Sequence, residues 1–143
     1  MRGFVNHIDL TVSDPKRSRP FYEAVLGFMG YRCIADHDRG YDFDRLTPQG
    51  FVSIGIVRAT GANAGRKHDR YSPGLHHLAW TADEREDVDR LYQVLLEIKA
   101  TILDAPAEYP KYGPGYYAVF FADPDGLKLE YVYWPKQLPN PVT

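Results

Sequence analysis

Near the end of this chain stands the stretch Phe120-Phe121-Ala122-Asp123-Pro124-Asp125-Gly126-Leu127-Lys128-Leu129-Glu130-Tyr131-Val132-Tyr133. An apolar run from Tyr116 to Phe121 enters its Asp-Pro-Asp-Gly segment, and a second run from Leu127 to Tyr133 leaves it. Pro124 presets φ for a turn, and Gly126 adopts conformations that larger residues resist. The stretch therefore predicts a β-hairpin. Glu130 is the exception within it, because a carboxylate among apolar strand neighbours needs either solvent or a partner.

The composition is that of an ordinary globular chain and excludes several classes of function. The chain has 143 residues, of which 44% are hydrophobic and 25% charged, with a formal net charge of -2. This predicts one domain, with no electrostatic case for nucleic acid or for an anionic membrane surface. The chain has no long apolar run and no signal-peptide pattern, so we expect no membrane association. The lone Cys33 fits a reducing compartment, and a cytoplasmic location is predicted.

The first half of the chain begins with an alternating strand from Phe4 to Val12, whose aliphatic face lies opposite His7, Asp9 and Thr11. Because Pro20 would break a long helix, we expect a short turn followed by a helix that Ser18 caps and that ends at Gly27. Turn residues then separate runs that predict three strands, at 29–34, 41–47 and 51–58.

The second half repeats this order after a segment, 59–74, that is poor in aliphatic residues and reads as a linker. A strand is predicted over 75–82, with His77 on the face opposite Leu78 and Trp80. Asp83 and Glu86 have the spacing of a capping box, and apolar residues at helical spacing predict a helix to about Lys99. Three further strands are expected, at 101–104, 116–122 and 127–133.

The two halves share residues at a constant offset of 70. The offset carries His7 to His77, Thr11 to Thr81 and Tyr22 to Tyr92. The sequence therefore predicts an α+β fold of two βαβββ modules, module one at about 1–60 and module two at about 75–135, within one domain spanning 1–143. Each module is too small to bury both faces of its sheet, so we expect the two to pack together.

The candidate metal site follows from strand parity. His7 and His77 are equivalent residues on the strand faces that the helices leave open, and Glu130 lies on the face opposite Leu129 and Tyr131. If the two sheets curve around a common cleft, these three side chains converge there. Two imidazoles and one carboxylate suit Zn, Ni, Mn or Fe(II). A strand histidine is more commonly a surface or packed residue, and parity places His76 with Asn6, outside the site.

The motifs together resemble one known superfamily. They are His7-Ile8-Asp9-Leu10-Thr11-Val12, the segment from Ser18 to Phe28, His77-Leu78-Ala79-Trp80, and Phe121-Ala122-Asp123-Pro124-Asp125-Gly126 leading to Glu130. The chain resembles the vicinal oxygen chelate proteins, which include glyoxalase I, extradiol dioxygenases, fosfomycin-resistance enzymes and bleomycin-resistance proteins. The resemblance implies a cupped, open eight-stranded mixed barrel, one divalent metal ion with ligands at His7, His77 and Glu130, and a homodimer.

One position departs from the glyoxalase I pattern. The resemblance places a second glutamate ligand on the last strand of module one, where this chain has Gly55. We therefore disfavour true glyoxalase I activity, because its proton transfer uses carboxylates as base and ligand. Fosfomycin enzymes also fit poorly, because they have a cationic phosphonate clamp and a Thr beside the first histidine. Here Asp9 stands at that place and would repel an anionic substrate.

The remaining candidates surround the predicted cleft. The catalytic candidates are Glu130 and Tyr116, with Tyr109, Tyr112, His37 and His68 as other acid–base groups. The expected substrate-binding residues are Asp9, Ala79, Ala118 and Phe120. Strand alternation places Ala118 and Phe120 on the cleft side, and with Trp80 or its neighbours they predict a pocket with substantial apolar surface. The segment 106–115 is either a loop over the cleft entrance or a plain surface connection.

Two functions of different classes remain open from the sequence. The first is a metal-dependent enzyme that binds a small substrate through its oxygens, as a lyase or isomerase, or as an extradiol ring-cleaving dioxygenase if the ion is Fe(II). The alternative is a metal-free protein that binds a drug or an aromatic ligand, as bleomycin-resistance proteins do. Those proteins lack the metal ligands, so the presence of all three candidates favours the enzyme.

Overall fold

The structure is a computed structural model that describes residues 2–135. The chain divides into two compact units, the first formed by residues up to 69 together with 123–127, and the second by 70–122 together with the residues from 128 onward. The first unit contains β1 (His7–Val12), α1 (Pro15–Phe28), β2 (Arg32–His37), β3 (Gly40–Thr47) and β4 (Gly50–Arg58). The second contains β5 (Leu78–Thr81), α2 (Arg85–Glu97), β6 (Thr101–Glu108), β7 (Tyr117–Ala122) and β8 (Lys128–Tyr133).

Both units have the same topology, which confirms the predicted α+β class and the βαβββ repeat. The strand order is β1-β4-β3-β2 in one sheet and β5-β8-β7-β6 in the other. The first and last strands of each unit are parallel, and the other pairs are antiparallel. In both sheets the last strand of the unit is therefore central, flanked by a neighbour on each side.

Strand β1 shows the predicted alternation. Leu10 and Val12 are buried, whereas His7, Asp9 and Thr11 are exposed. Helix α1 supplies the apolar cover in the same unit, with Tyr22, Val25 and Leu26 fully buried. The histidine face of β1 is therefore the face that the helix does not cover.

The start of α1 differs from the sequence prediction. The helix begins at Pro15 rather than after Ser18, and Asp14 is its N-cap, accepting a hydrogen bond from the Lys16 amide. Pro15 suits the first helical position because its missing N–H would have had no helical partner. Pro20 lies inside the helix without ending it, since it removes only one backbone donor close to the N-terminus.

The cap of α2 is also one residue later than predicted. Glu84 is the N-cap, and its amide donates to the carboxylate of Asp87, 3.3 Å away. The predicted capping box, Asp83 with Glu86, has the same spacing as the observed pair but lies one residue earlier in the chain. The helix nevertheless buries Val88, Leu91 and Leu95, as its periodicity predicted.

The Asp-Pro-Asp-Gly turn is built around a buried carboxylate. Strands β7 and β8 pair antiparallel on either side of it, which confirms the hairpin, and Gly126 has a φ of +85°. Within the first unit, Asp123 accepts hydrogen bonds from the amides of Asp125 and Leu127 and from the Tyr22 hydroxyl, at 2.9, 2.8 and 2.8 Å. Burial raises the pKa of Asp123, and these hydrogen bonds oppose that rise. The turn is thus held by hydrogen bonds as well as by its backbone preference.

Among the described residues, no helix is both long enough and apolar enough to cross a lipid bilayer.

Candidate functional site

The carboxylate of Glu130 contacts two polar side chains in the structure. It lies on the central strand β8 of the second unit and is 2% exposed. Its Oε1 accepts a hydrogen bond from the Tyr116 hydroxyl, and its Oε2 lies 3.1 Å from Nε2 of His77. The carboxylate is therefore a buried group in a polar network and not a solvated strand residue.

The other ring nitrogen of His77 also has a neighbour, which the sequence analysis placed outside the site. Nδ1 of His77 lies 2.7 Å from Nδ1 of His76, so one ring donates a proton and the other accepts it. The same arrangement exists at the equivalent position of the first unit, where Nδ1 of His7 lies 2.9 Å from Oδ1 of Asn6. In both units the residue before the histidine therefore contacts Nδ1 of that histidine.

An aromatic cavity adjoins Glu130 in the second unit. It has a volume of about 360 Å³ and is lined by His76, His77, Tyr112, Tyr116, Phe120, Lys128, Glu130 and Trp134. The Tyr116 ring is central to its wall, with ring centroids 5.2 Å from Tyr112 and 5.1 Å from Trp134. The ammonium of Lys128 stands 4.5 Å from the centroid of Phe120. The cavity thus offers flat apolar surfaces beside one carboxylate and one cation.

Burial and the bond to Glu130 both raise the pKa of Tyr116 above its usual range. Burial also raises the pKa of Tyr109, whose ring packs edge-on against Phe120 at 5.3 Å. Tyr116 therefore remains protonated at neutral pH and acts as a hydrogen-bond donor to the carboxylate. Of the loop tyrosines considered from the sequence, Tyr116 is the one that bonds directly to Glu130.

The segment from Pro106 onward contains a strand end and a turn. Strand β6 extends to Glu108, and the amide of Tyr109 donates to the carbonyl of Tyr116 across the turn that follows. This turn contributes Tyr112 to the cavity wall. The segment is therefore part of the pocket in the second unit.

The structure also locates the residues expected to bind substrate in module two. Ala79 is exposed on β5 and is the register partner of Glu130. Phe120 lines the aromatic cavity, whereas Ala118 is fully buried in a small cluster with Phe120 and Val132. Tyr116 and Trp134 pack against this cluster. Ala118 thus supports the aromatic wall from beneath.

The first unit has its own polar concavity. His7 and Asp9 line it together with Asn6, Ile34, Asp42, Asp44, Phe51 and Ser53, and its volume is about 350 Å³. His37 lies close to Asp42, one of these lining residues: its Nε2 is 3.4 Å from Oδ2 of Asp42. His68, the other histidine considered as an acid–base group, contacts the hairpin turn through its amide, which donates to the carbonyl of Asp125.

The pairing register of the strands shows which residue of the first unit is equivalent to Glu130 of the second. Asp9 pairs with Gly55 in the first unit as Ala79 pairs with Glu130 in the second. Gly55 therefore occupies the strand position equivalent to Glu130. A Cβ on Gly55 would lie 2.3 Å from Oδ1 of Asp9, so that carboxylate lies over the glycine.

The donor chemistry fits a divalent metal ion. Within either unit, as far as residues 2–135 extend, no three His, Cys, Asp or Glu side chains are gathered as a metal site. The second unit does supply a pair, Nε2 of His77 beside the buried carboxylate of Glu130, and across the described chain the only ion-pair partner of Glu130 is this imidazole. A buried carboxylate gains from a cation, and imidazole with carboxylate is a common donor set for divalent metals.

Comparisons with known proteins agree with this architecture. The family model of the Glyoxalase/Bleomycin resistance protein/Dioxygenase superfamily matches residues 4–131. The protein YqjT of Bacillus subtilis (strain 168), which is uncharacterized, is 31% identical over 128 residues, covering 90% of this chain and 97% of that protein. FosB of Lysinibacillus sphaericus (strain C3-41), named a metallothiol transferase, is 27% identical over 128 residues, covering 89% of this chain and 79% of that one. The crystal structure of a glyoxalase-type protein from Bacillus halodurans has a TM-score of 0.78 at 30% identity, covering 93% of this chain and 97% of that one.

Proposed function

Because the chain belongs to the Glyoxalase/Bleomycin resistance protein/Dioxygenase superfamily, we propose that it is a divalent-metal-dependent enzyme acting on a small substrate that is chelated through its oxygens. The observation that carries this proposal is the buried Glu130 carboxylate beside Nε2 of His77. Replacing water around a carboxylate by apolar surroundings is costly unless a cation or several donors compensate. A metal ion at this carboxylate would supply that compensation.

His7, His77 and Glu130 are the residues proposed to hold the ion. When bound, a divalent ion at such a site polarises substrate oxygens as a Lewis acid. The contacts at Nδ1 of both histidines support ligation through Nε2, because a ligating imidazole is normally oriented by a hydrogen bond at its other nitrogen. The name metallothiol transferase, carried by FosB, is consistent with a metal in this family.

Tyr116 and the aromatic cavity are proposed to act on the substrate. The Tyr116 hydroxyl keeps its proton and is bonded to Glu130, so it can donate a hydrogen bond or a proton beside that carboxylate. Phe120 and Trp134 give the substrate a flat apolar surface that excludes water. The reaction class is left at lyase or isomerase chemistry, or at ring cleavage with Fe(II).

One observation favours a second candidate. Tyr112, Tyr116, Phe120 and Trp134 make the cavity strongly aromatic, which also suits a metal-free protein that binds an aromatic ligand. The two candidates differ in one property: the binding protein would keep its ligand affinity and its thermal stability after chelation. The enzyme would lose substrate affinity with the metal.

The test is metal binding by the full chain. Protein stripped with EDTA and freed of the chelator is titrated calorimetrically with Mn²⁺, Zn²⁺, Ni²⁺ and anaerobic Fe²⁺. We expect one ion per chain and a higher melting temperature, since a ligand that binds only the folded state stabilises it. His77→Ala and Glu130→Ala should each abolish binding, and His7→Ala should do the same.

A matched control is His68→Ala, which removes an imidazole outside the proposed ligand set and should leave metal affinity unchanged. If the wild-type chain takes up none of these ions, and its melting temperature does not move, the enzyme proposal is wrong. Retained aromatic-ligand binding in that chelated protein would then support the binding-protein candidate.

A further inference from the structure

One face of β8 forms the floor of the aromatic cavity in the second unit. Lys128, Glu130 and Trp134 are separated by even numbers of residues, so strand alternation directs all three side chains to the same face. All three line the cavity. The floor therefore carries a cation at the start of the strand, a carboxylate next to it, and an indole ring just after the strand ends.

The two charges of this floor differ in their partners. Glu130 accepts a hydrogen bond from Tyr116 and lies 3.1 Å from Nε2 of His77. Lys128 is half-buried, and over residues 2–135 its ammonium takes part in no ion pair. It stands instead 4.5 Å from the centroid of the Phe120 ring, whose negative face attracts a cation. The cavity thus holds a cation that has no counter-anion within the described part of the chain.

The rings determine the shape of a ligand that fits beside this cation. The plane of the Tyr116 ring is inclined by 59° to that of Tyr112 and by 58° to that of Trp134. Tilted rings of this kind offer flat faces and edges, which are the surfaces that another aromatic ring contacts most favourably. The volume of about 360 Å³ lies within the range of small-molecule pockets. A small aromatic ligand therefore suits the cavity.

We propose that Lys128 is a specificity-determining residue, and that the cavity selects aromatic substrates that carry a carboxylate or an equivalent anionic group. An ammonium forms a charge-assisted hydrogen bond with a carboxylate, whereas a neutral ligand of the same shape leaves the cation without a counter-charge. This inference rests on the proposed function, because it takes the cavity beside Glu130 to be the place where the substrate binds. It uses residues of the second unit alone.

The test compares two probes of nearly equal shape, 3-phenylpropionate and its neutral amide, 3-phenylpropionamide. Each is titrated into the metal-stripped full chain, and the indole N–H signal of Trp134, assigned with Trp134→Phe, is followed by nitrogen-15 NMR. We expect the Kd of the carboxylate to be lower than that of the amide by at least about fivefold. Lys128→Met keeps the apolar stem and removes the charge, so it should bring the two Kd values within about twofold of each other.

Lys111→Met is the matched control. The ammonium of Lys111 lies 5.0 Å from the centroid of the Tyr112 ring, but this lysine is exposed and does not line the cavity. Its loss should leave the carboxylate preference within about twofold of wild type, because solvent screens an exposed charge. Lys128→Arg retains the charge and should retain the preference. Circular dichroism establishes that each variant is folded.

Three results would overturn the inference. The first is a carboxylate preference that survives in Lys128→Met, and the second is an equal loss of preference in Lys111→Met, which would indicate a general effect of positive charge. The third is a wild-type indole signal that neither probe shifts. A preference that arises only in Zn²⁺-loaded protein and survives in Lys128→Met belongs to the first result, because the ion then takes the carboxylate.

These failures are distinguishable from a failure of the proposed function. Lys128 is outside the proposed ligand set, so Lys128→Met should change Zn²⁺ affinity by less than about threefold. If wild-type protein binds no ion but its carboxylate preference depends on Lys128, the enzyme proposal is wrong and the specificity of the cavity stands. If the ion binds as proposed and Lys128→Met keeps the preference, only the role of Lys128 is overturned.

Discussion

At the scale of single residues, the two histidines show how a neighbouring side chain can orient an imidazole. An imidazole on a strand has two nitrogens and can rotate about its side-chain bonds, so its place in the sequence does not determine which nitrogen faces the site. Here Asn6 and His76, at equivalent places in the two units, engage Nδ1 of the histidine that follows. The residue that precedes each histidine therefore fixes the partner of its Nδ1.

This arrangement predicts that His76 is a positioning residue. His76→Ala should weaken metal affinity by about 10- to 100-fold, the usual effect of removing a group that orients a ligand. His76→Asn copies the pair found in the first unit and should retain affinity close to wild type. Calorimetric metal titration measures both variants, with His77→Ala as the variant that should abolish binding.

A readout of the imidazole itself separates positioning from general destabilisation. Nitrogen-15 NMR of the histidine rings reports which nitrogen of His77 carries the proton, and this distribution should change in His76→Ala but return in His76→Asn. If His76→Ala lowers the melting temperature while both the tautomer and metal affinity stay as in wild type, His76 has only a packing role.

At the scale of secondary-structure elements, the contact between α2 and β7 includes an ionisable pair. The Tyr117 hydroxyl donates to Asp89 at 2.6 Å, and the guanidinium of Arg85 lies 3.9 Å from the centroid of the Tyr117 ring. The bond to Asp89, together with burial, raises the pKa of Tyr117 to about 12. Ionisation of this tyrosine is therefore harder in the folded chain than in the unfolded one.

The sign of the resulting pH dependence follows from this raised pKa. A group that holds its proton more tightly when folded stabilises the fold below its unfolded pKa, and that contribution is lost as the pH rises through the folded pKa. The difference in free energy of unfolding between wild type and Tyr117→Phe should be about 1 kcal/mol at pH 8. It should then fall between the ordinary tyrosine pKa of about 10 and the raised pKa of about 12.

Urea unfolding at several pH values between 8 and 12 measures this difference, and absorbance at 295 nm follows tyrosine ionisation directly. Tyr117→Phe keeps the ring and its contact with Arg85, so it isolates the hydroxyl. A stability difference that does not change across this pH range would contradict the assignment of the bond to Asp89.

The elements also show what the sequence could predict and what it could not. The order of strands and helices and the strand faces follow from periodicity, which is a local property. The equivalence of Gly55 with Glu130 does not follow from the constant offset that relates His7 to His77, and it needed the match to the glyoxalase I pattern. The caps were wrong by one or a few residues, because Asp14 and Ser18, or Asp83 and Glu84, are chemically similar candidates at neighbouring positions. Only the packed chain decides among such candidates.

The candidate site likewise has features that the sequence predicts and features that it does not. Parity placed His7, His77 and Glu130 on open strand faces, but it gave no indication that Tyr116 bonds to Glu130 or that His76 contacts His77. These contacts depend on side-chain rotamers and on the turn that follows β6. The carboxylate of Asp9 over Gly55 is of the same kind, since only the coordinates show which atom a Cβ would meet.

At the scale of the whole molecule, the hairpin turn belongs to one unit, whereas the two strands that it connects belong to the other. Residues 123–127 belong to the first unit, although the strands on either side of them belong to the second. Within the first unit the turn is held by the hydroxyl of Tyr22, which is fully buried and donates to Asp123. Loss of the first unit therefore releases the segment that connects β7 to β8.

This connection predicts that a change in the first unit alters the unfolding of the second. Tyr22→Phe removes the hydroxyl and leaves a buried acceptor on Asp123, which should cost about 1.5–3 kcal/mol. Both tryptophans, Trp80 and Trp134, lie in the second unit, so tryptophan fluorescence reports on that unit alone. We expect the urea midpoint followed by tryptophan fluorescence to fall in Tyr22→Phe together with the midpoint followed by far-ultraviolet circular dichroism, as in one cooperative transition.

Tyr92→Phe is the matched control, because Tyr92 is the equivalent helix residue of the second unit and is only half-buried. It should shift both midpoints by less than Tyr22→Phe does, even though it lies in the unit that contains the tryptophans. If Tyr22→Phe instead left the fluorescence midpoint in place and split the circular dichroism transition in two, the units would unfold independently. The Asp-Pro-Asp-Gly segment would then be a local turn without a role in cooperativity, because its release from Tyr22 would not reach β7 and β8.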